Sequence, residues 1–593
     1  MGELYMKFYS KIKEFQYMKK YQLSSWDLSE IKPANLQKEF QEIETTAKHI
    51  EHWRKKLKEN ISAKDFLTLL SELERLQILN SKVGVYAQLR FAEDSSNQEA
   101  SALLSQVENF LTKINNRLIF FGLWFKQLPQ KEASRLIHSS GNYHYFLEKM
   151  YKSKPYILEE KEEKIVNLKD VTGVSALNSI YNILCSQFQF EFAGKEMGQE
   201  QLLTFVRDPS PKNREAAYRA LLGKYRSHKD LIGEVYRSII NDWREENVHL
   251  RGYKNPINVR NLGNDIPDKA VEALLKVCER NEIMFQRFFE LKRKKVGLKK
   301  MRRFDLYAPL QNKKEKEIPY AEAVAIVLET FHDFSPAFHQ EASNIINADH
   351  IHSQVQKNKD TGAFCCSVTS KLNPYVLLNY TGTLRDVSTL AHELGHGIHH
   401  NLARNQTEFT FHAPLPLAET ASIFSEMVLS ERLLKKYPDR AKDLLFTKLE
   451  EIYASIIRQA GFVRFEMKAH QMLEEGKTID EISKVYLQDL RKQLGPKVEV
   501  DEIFAYEWCY IPHIFHTPFY CYAYAFGNLL TLALYETYKE KGPAYADKIV
   551  EMLAKGGSLS PLEIIKAVGA DITSEKFWQG GFDVIAKMLK KAE

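Results

Sequence analysis

The segment "DVSTLAHELGHGIHHNLARNQ" (386–406) contains an HExxH pattern, formed by His392, Glu393 and His396. On a helix, the two histidines lie one turn apart and project from the same face. Imidazoles at this spacing can occupy two corners of a tetrahedral zinc site. Glu393 is rotated by about 100° around the helix, so it can hold the attacking water instead of the metal. The pattern predicts a zinc helix with Glu393 as general base.

The residues around the motif favour a buried helix. The flanking "VSTLA" and "GHGIHH" contain no carboxylate and no lysine. Burying Glu393 beside histidines without a partner would be costly. The alternative is an exposed, charged helix that matches the short HExxH pattern by chance. A metal site accounts better for flanks of this composition.

A catalytic zinc needs a third protein ligand and one open position. The metzincin arrangement would need glycine at position 399 and histidine at position 402, whereas the chain has His399 and Leu402. That arrangement is therefore excluded. Three ligands from one straight helix cannot easily close round a metal, so we assign His399 and His400 to the core or to supporting positions.

The third ligand is predicted on the next helix, "PLPLAETASIFSEMVLSERLL" (414–434). Between positions 409 and 430 the only acidic or basic side chains, histidine aside, are Glu419 and Glu426. Isolated buried carboxylates are expensive unless they are paired or bound to metal. Glu419 suits a metal ligand, and Glu426, two helical turns further on, suits a group that orients a ligand histidine. Alternatively, both carboxylates only satisfy polar groups of the core.

The clearest strand signal lies just before the zinc helix, in "GAFCCSVTSKLNPYVLLNYTG" (362–382). Two short, β-prone apolar runs flank a polar turn, which predicts a hairpin. The run 363–368 is expected to be the edge strand and the more apolar run 374–380 the inner one. Elsewhere the apolar spacing is helical, as at Leu69, Leu76 and Val83. We place a domain boundary near residue 200, giving a helical domain 1–200 and a catalytic domain 201–593.

Two long runs carry no Asp, Glu, Lys or Arg: 171–190 and "WCYIPHIFHTPFYCYAYAFGNLLTLALY" (508–535). A membrane span needs about 20 predominantly apolar residues. The first run has many Ser, Asn and Gln residues, and the second has two histidines and many tyrosines. We expect both runs to be buried in a folded chain and predict no membrane association.

Composition narrows the function classes further. The 83 basic and 77 acidic residues nearly balance, and no basic block indicates nucleic-acid binding. Six cysteines without a CxxC pair indicate a reducing compartment. The first twenty residues contain no apolar stretch typical of a signal peptide. A cytoplasmic protein is the expectation.

Several segments resemble the oligoendopeptidase F branch of the thimet-oligopeptidase-like zinc metallopeptidases. They are "PYVLLNYTGTLRDVSTLAHELGHGIHHNLAR", "PLPLAETASIFSEM" and "IPHIFHTPFYCYAYAFG", with weaker likeness in "SSWDLSEI" and "FDLYAPL". The resemblance covers about residues 20–590. It implies a mainly α, elongated zincin-type fold with a deep central channel and a small β-sheet beside the HExxH helix.

The resemblance also implies residue roles. One zinc ion per chain is held by His392, His396 and Glu419, and Glu393 is the catalytic base. His513 and Tyr520 match the family's substrate-binding histidine and tyrosine, and they would steady the tetrahedral intermediate. Tyr524 is a further substrate-binding match. At least half of the surrounding aromatic side chains, including those of Phe515, Phe519 and Phe526, are expected to be core.

The implied function is hydrolysis of internal peptide bonds in short oligopeptides. Neither the residues nor the resemblance specifies the oligomeric state, for which a monomer is slightly favoured. In zinc peptidases of this type a strand edge beside the metal can pair with extended substrate, which points to Ala363 and Phe364. The strands could instead be packing scaffold only. Two rival functions stay open: a carboxypeptidase or dipeptidase, and a helical binding protein with a vestigial metal site.

Overall fold

The structure is a computed structural model that describes residues 21–310 and 317–593. These residues form two compact units. The first unit contains 21–154, 317–436 and 537–570, and the second contains 155–310, 437–536 and 571–593. Both are mainly helical, which confirms the predicted fold class. The domain boundary near residue 200 and the central channel stay predictions.

The first unit consists of helices and one small sheet. Its helices are Leu36–Trp53, Ala63–Glu93, Gln98–Gln127, Gln130–His138, His144–Lys152, Tyr320–Phe334, Pro336–Asn347, Leu384–Leu402, Leu415–Ala418, Thr420–Lys436, Ala544–Leu553 and Pro561–Ala567. The predicted face of the helix Ala63–Glu93 is confirmed, because Leu69, Leu76 and Val83 are buried. They join an aromatic core in which Phe66 and Phe125 stack with ring centroids 5.8 Å apart.

The sheet of the first unit has three strands. Ile351–His352 pairs in parallel with Tyr375–Leu377, which pairs on its other side with the antiparallel strand Phe364–Cys366. The predicted hairpin is therefore confirmed, with Phe364–Cys366 at the edge and Tyr375–Leu377 in the centre. We call Phe364–Cys366 the edge strand. Residues of Tyr375–Leu377 are fully buried, as an inner strand requires.

The second unit is built from a second set of helices. They are Glu160–Thr172, Val174–Ser186, Gln199–Thr204, Pro211–Ser227, Lys229–Arg244, Pro256–Gly263, Asp268–Arg280, Glu282–Val296, Ala441–Ile452, Arg458–Glu474, Ile479–Leu494, His513–His516, Glu575–Ala592, and Tyr522–Lys541 as far as position 536. Two small strand pairs, Phe190–Phe192 with Lys195–Met197 and Met301–Arg302 with Val498–Glu499, complete it. Trp508 and Trp578 are fully buried.

The two runs without charged residues differ in the structure. Much of 508–535 is buried, including Phe515, Phe519 and Phe526, as predicted. The expectation for 171–190 is wrong: in the helix Val174–Ser186 only Tyr181 is buried, and Ile183 is 56% exposed. The apolar content of a helix does not by itself specify which of its faces packs against another element. No helix in the described part of the chain is long and apolar enough to cross a membrane.

Candidate active site

The HExxH motif lies in the middle of the helix Leu384–Leu402, here called the HExxH helix. Its start is fixed by a capping box: Asp386 N–H donates to Thr383 Oγ1, and Thr383 N–H donates to the Asp386 carboxylate. Leu390 and Leu394 are fully buried, and they anchor one face of the helix in the first unit. The two histidines of the motif are half-buried, so they remain accessible from one side.

The three predicted metal ligands come together. Glu419 Oε2 lies 3.5 Å from His392 Nε2 and 3.4 Å from His396 Nε2. The three ligand atoms lie within 4.8 Å of one another. A tetrahedral zinc ion with bonds of about 2.0–2.1 Å separates its ligands by about 3.3–3.4 Å, so the donor set fits this metal in both type and spacing. We call these residues the ligand triad.

Glu419 differs in one respect from the prediction. It does not lie within the second helix but directly before it, at the end of the short helix Leu415–Ala418 and ahead of Thr420–Lys436. Ser422 Oγ donates to Glu419 Oε2 over 2.8 Å and to the Glu419 carbonyl over 3.0 Å. The junction between two helices thus sets the direction of this carboxylate. The sequence pattern does not indicate this role of Ser422, which lies three positions after the ligand.

Glu426 supports the triad from behind. His392 Nδ1 donates to Glu426 Oε1 over 2.6 Å, which turns Nε2 of the same ring toward Glu419. Burial lowers the pKa of His392, but this hydrogen bond and the charges of Glu426, Glu393 and Glu419 outweigh it and raise the pKa to about 9. The predicted role of Glu426 in orienting a ligand histidine agrees with this contact.

Glu393 lies beside the triad and is 6% exposed. Burial raises its pKa to about 7; the His392 charge opposes this shift, and the charges of Glu419 and Glu426 add to it. A carboxylate whose pKa lies near neutrality can both accept a proton and release it at physiological pH. Burial and the neighbouring carboxylates thus favour proton uptake by Glu393, as a general base requires.

Two glycines of the HExxH helix lie in close contacts. A Cβ atom at Gly395 would lie 2.6 Å from Ser422 Cα and 2.8 Å from the Ala421 carbonyl oxygen. Only a residue without a side chain lets the two helices approach this closely. At Gly397 a Cβ would meet the flexible end of Ile345 at 2.4 Å. For the close approach at Gly395, the signal in the sequence is a glycine inside the HExxH motif.

A cleft of about 580 Å³ opens beside the triad within the first unit. It is lined, among others, by Ala363, Phe364, Cys365, His392, Glu393 and Glu419. The predicted substrate-binding residues Ala363 and Phe364 thus share a cleft with the predicted ligands. His399 also lines it, but burial lowers the pKa of this histidine to about 3.

His400 acts as a structural residue. Its ring nitrogens contact Ser367 Oγ at 2.8 Å and the Leu372 carbonyl at 2.9 Å, both beyond the end of the edge strand. This agrees with its assignment to a supporting position rather than to the metal. The hydrogen bonds tie the HExxH helix to the hairpin that carries the edge strand.

The other predicted residues lie together in the second unit. Tyr524 Oη contacts His513 Nε2 at 3.2 Å. The Tyr520 ring stacks on His513 with centroids 5.9 Å apart and meets Tyr524 edge to face at 5.2 Å. All three are half-buried, although most of their sequence neighbours are buried. We call them the aromatic cluster.

A mainly helical scaffold that carries two histidines and a glutamate at zinc spacing, beside a strand edge, is typical of helical metallopeptidases. Comparisons with known proteins support this class. The model of peptidase family M3 matches residues 204–584, and a second model, described as oligopeptidase F, matches residues 124–190. The chain belongs to peptidase family M3 and is a metallo-oligopeptidase.

Individual relatives are similar to this chain over most of its length. An oligoendopeptidase F homolog of Borreliella burgdorferi is 27% identical over 83% of this chain and 85% of its own. A structure titled as a peptidase from Chlamydophila abortus has a TM-score of 0.85, 24% identity and coverage of 96% and 97%. The oligoendopeptidase-F from Enterococcus faecium has a TM-score of 0.70, 19% identity and coverage of 94% and 98%. At these identities the two structures show the fold.

Proposed function

We propose that the chain is a zinc-dependent endopeptidase that hydrolyses internal peptide bonds of short oligopeptides. The observation that carries this proposal is the ligand triad, in which Glu419 lies at zinc-ligand spacing from both histidines, with the Glu426 carboxylate behind His392. His392, His396 and Glu419 would hold one zinc ion per chain. When bound, zinc polarises the scissile carbonyl and lowers the pKa of a water molecule.

Glu393 is the proposed general base. Its buried carboxylate lies beside the ligand triad, where it can accept a proton from the attacking water and then pass this proton to the leaving amine. His513 and Tyr520 are the proposed donors to the oxyanion, because a ring N–H and a phenol O–H can both stabilise developing negative charge. The resemblance in "IPHIFHTPFYCYAYAFG" supports these two roles, and Tyr524 is the proposed third contact.

The edge strand is the proposed binding site for extended substrate. Its outer side carries no strand partner within the described residues. Pairing through main-chain atoms at Ala363 and Phe364 would supply affinity for a peptide with little dependence on its side chains. A cytoplasmic location and a monomeric state complete the proposal; the sparse, unpaired cysteines support the first.

The test uses peptides that are acetylated at one end and amidated at the other, with mass-spectrometric detection of products. An endopeptidase should cut them internally, whereas a carboxypeptidase or dipeptidase needs a free terminus and should leave them intact. Glu393→Gln protein purified in parallel is the matched control for contaminating peptidases. Cleavage only of peptides with a free terminus would replace the proposal with the exopeptidase function.

Metal content distinguishes the remaining alternative. A vestigial binding protein should contain no stoichiometric zinc, whereas the proposal requires about one ion per chain, measured by inductively coupled plasma mass spectrometry on the purified holoenzyme. A zinc content near zero together with absent cleavage would contradict the proposal.

A further inference from the structure

A strained turn lies directly before Tyr520. The Tyr520 N–H donates to the Thr517 carbonyl over 3.1 Å, which closes a four-residue turn with Pro518 and Phe519 in the middle. Phe519 has φ +60°. Proline cannot take the positive φ that a type I′ turn requires in the preceding position, so the turn is type II. Glycine or asparagine is usual at the position that Phe519 occupies.

The peptide group between Pro518 and Phe519 is held from both sides. Arg260 Nε donates to the Pro518 carbonyl over 3.0 Å, and the Phe519 N–H donates to Glu466 Oε2 over 2.7 Å. The Arg260 guanidinium therefore meets the negative end of this peptide dipole, and an oxygen of the Glu466 carboxyl group meets its positive end. Turning the peptide over into a type I turn would relieve the backbone of Phe519 but break both hydrogen bonds.

Within the described residues, Glu466 makes no hydrogen bond other than the one to Phe519. It lies in the helix Arg458–Glu474, it is 1% exposed, and its second oxygen, Oε1, has no hydrogen-bond partner among the described residues. Burial raises the pKa of Glu466 to about 8, although the Phe519 hydrogen bond and the Arg260 charge act in the opposite direction. A buried carboxyl group is costly to keep, and among the described residues its one hydrogen bond goes to the turn.

We propose that Glu466 and Arg260 are positioning residues for Tyr520: they hold the Pro518–Phe519 peptide and thereby fix the backbone from which the Tyr520 side chain projects. This inference rests on the proposed role of Tyr520. Phe519 adds to the anchor, because its ring is buried and packs against the neutral ring of His470 at a centroid distance of 4.7 Å. Tyr520, the next residue, is only half-buried. The buried Phe519 thus orients the accessible Tyr520.

A double-mutant cycle tests the proposal with the zinc-loaded full chain and a blocked peptide substrate. Glu466→Met should lower kcat about tenfold with KM little changed, because it removes the acceptor but keeps the volume. Glu466→Gln should recover most of the loss, since its amide oxygen can accept the Phe519 N–H. In the Tyr520→Phe background, Glu466→Met should cause almost no further loss, because the hydroxyl that it positions is already gone.

Glu282→Met is the matched control. Glu282 is another buried acidic residue of the second unit, 4% exposed, and it accepts its hydrogen bond from Arg464 rather than from the turn. Its loss should lower the melting temperature but leave kcat near that of the parent chain in both backgrounds. If Glu466→Met proves unstable, Arg260→Met, which removes the donor to Pro518, replaces it in the same cycle.

The outcomes separate this inference from the proposed function. Equal losses from Glu466→Met in the wild-type and Tyr520→Phe backgrounds, or no loss in either, would overturn the positioning role while the function stands. Wild-type kcat in Tyr520→Phe alone would remove the role of Tyr520 from the proposed function, and this inference with it. The positioning role is supported if Glu466→Met lowers kcat in the wild-type background but not in the Tyr520→Phe background.

Discussion

The ligand triad and the aromatic cluster are held in place by different means. The triad stands on or beside regular helices, and hydrogen bonds to polar or charged groups such as Glu426 and Ser422 orient its side chains. The aromatic cluster consists of two phenols and one imidazole, and Tyr520 directly follows Phe519, which has a positive φ. A bulky residue in such a conformation costs about 1–3 kcal/mol, so the surrounding structure must compensate.

The two sites differ in how far along the sequence the supporting residues lie from the residues that they hold. The residues that orient the triad lie within the same two helical segments as the ligands, so their spacing is visible in the sequence. Those that hold the turn are 53 and 258 positions away, at Glu466 and Arg260. The comparison predicts that variants of the triad change metal binding and that variants of Glu393, beside it, change proton transfer. Variants of the aromatic cluster should lower kcat with the metal retained.

The largest effect is expected at Glu393. Glu393→Gln should lower kcat by about 10²–10⁴-fold, because an amide cannot accept the proton from the attacking water. Zinc should stay at about one ion per chain, because the three ligands are unchanged. Steady-state kinetics and metal analysis of the same preparation check both statements. A variant that loses its zinc, or that turns over at the wild-type rate, would show that Glu393 has another role.

Tyr520→Phe should give the next largest effect. Loss of one oxyanion donor is expected to lower kcat by about 10²–10³-fold with KM little changed and zinc retained. Tyr524→Phe is the matched control, since it removes a hydroxyl from the same cluster. Should Tyr524→Phe cause the greater loss, the roles of the two tyrosines are exchanged. If neither variant differs from the wild type, the aromatic cluster is only packing.

The supporting carboxylate of the triad should matter less than the ligand itself. Glu426→Ala is expected to weaken zinc binding about 10–100-fold, because the His392 ring loses the group that orients it. Glu419→Ala should weaken binding further, because it removes a ligand. Competition with a chelator of known affinity measures both constants. A stronger effect of Glu426→Ala would transfer the ligand role from Glu419 to Glu426.

The smallest effect concerns the scaffold of the triad. Gly395→Ala should destabilise the zinc-loaded chain by about 1–3 kcal/mol, because the new methyl group meets the backbone of the neighbouring helix. Gly397→Ala is the control in the same helix, and it should cost less because the end of Ile345 can move. Melting temperatures of both variants compare them directly. If the melting temperature of Gly395→Ala equals that of the unmodified chain, the two helices can move apart without loss of stability.

Much of the first unit's site could be predicted because its signals are local. The HExxH spacing, the hairpin 362–382 and two isolated carboxylates each follow from helical or strand periodicity over a few residues. The exposure of Ile183 could not be predicted, since burial depends on a neighbour that the local sequence does not name. The position of Glu419 between two helices was also missed, because a break of one residue leaves the apolar spacing nearly unchanged.

Gly395 has a consequence for engineered metal sites. Of the two unspecified positions of HExxH, the second is not a free choice in this arrangement, because the close approach of the segment that carries the third ligand leaves no room for a side chain there. A designer who copies the motif onto an arbitrary scaffold, with alanine or leucine at the second of these positions, would push the glutamate-bearing segment away and obtain a two-histidine site that binds zinc weakly. Matching the interhelical separation comes before choosing the ligands.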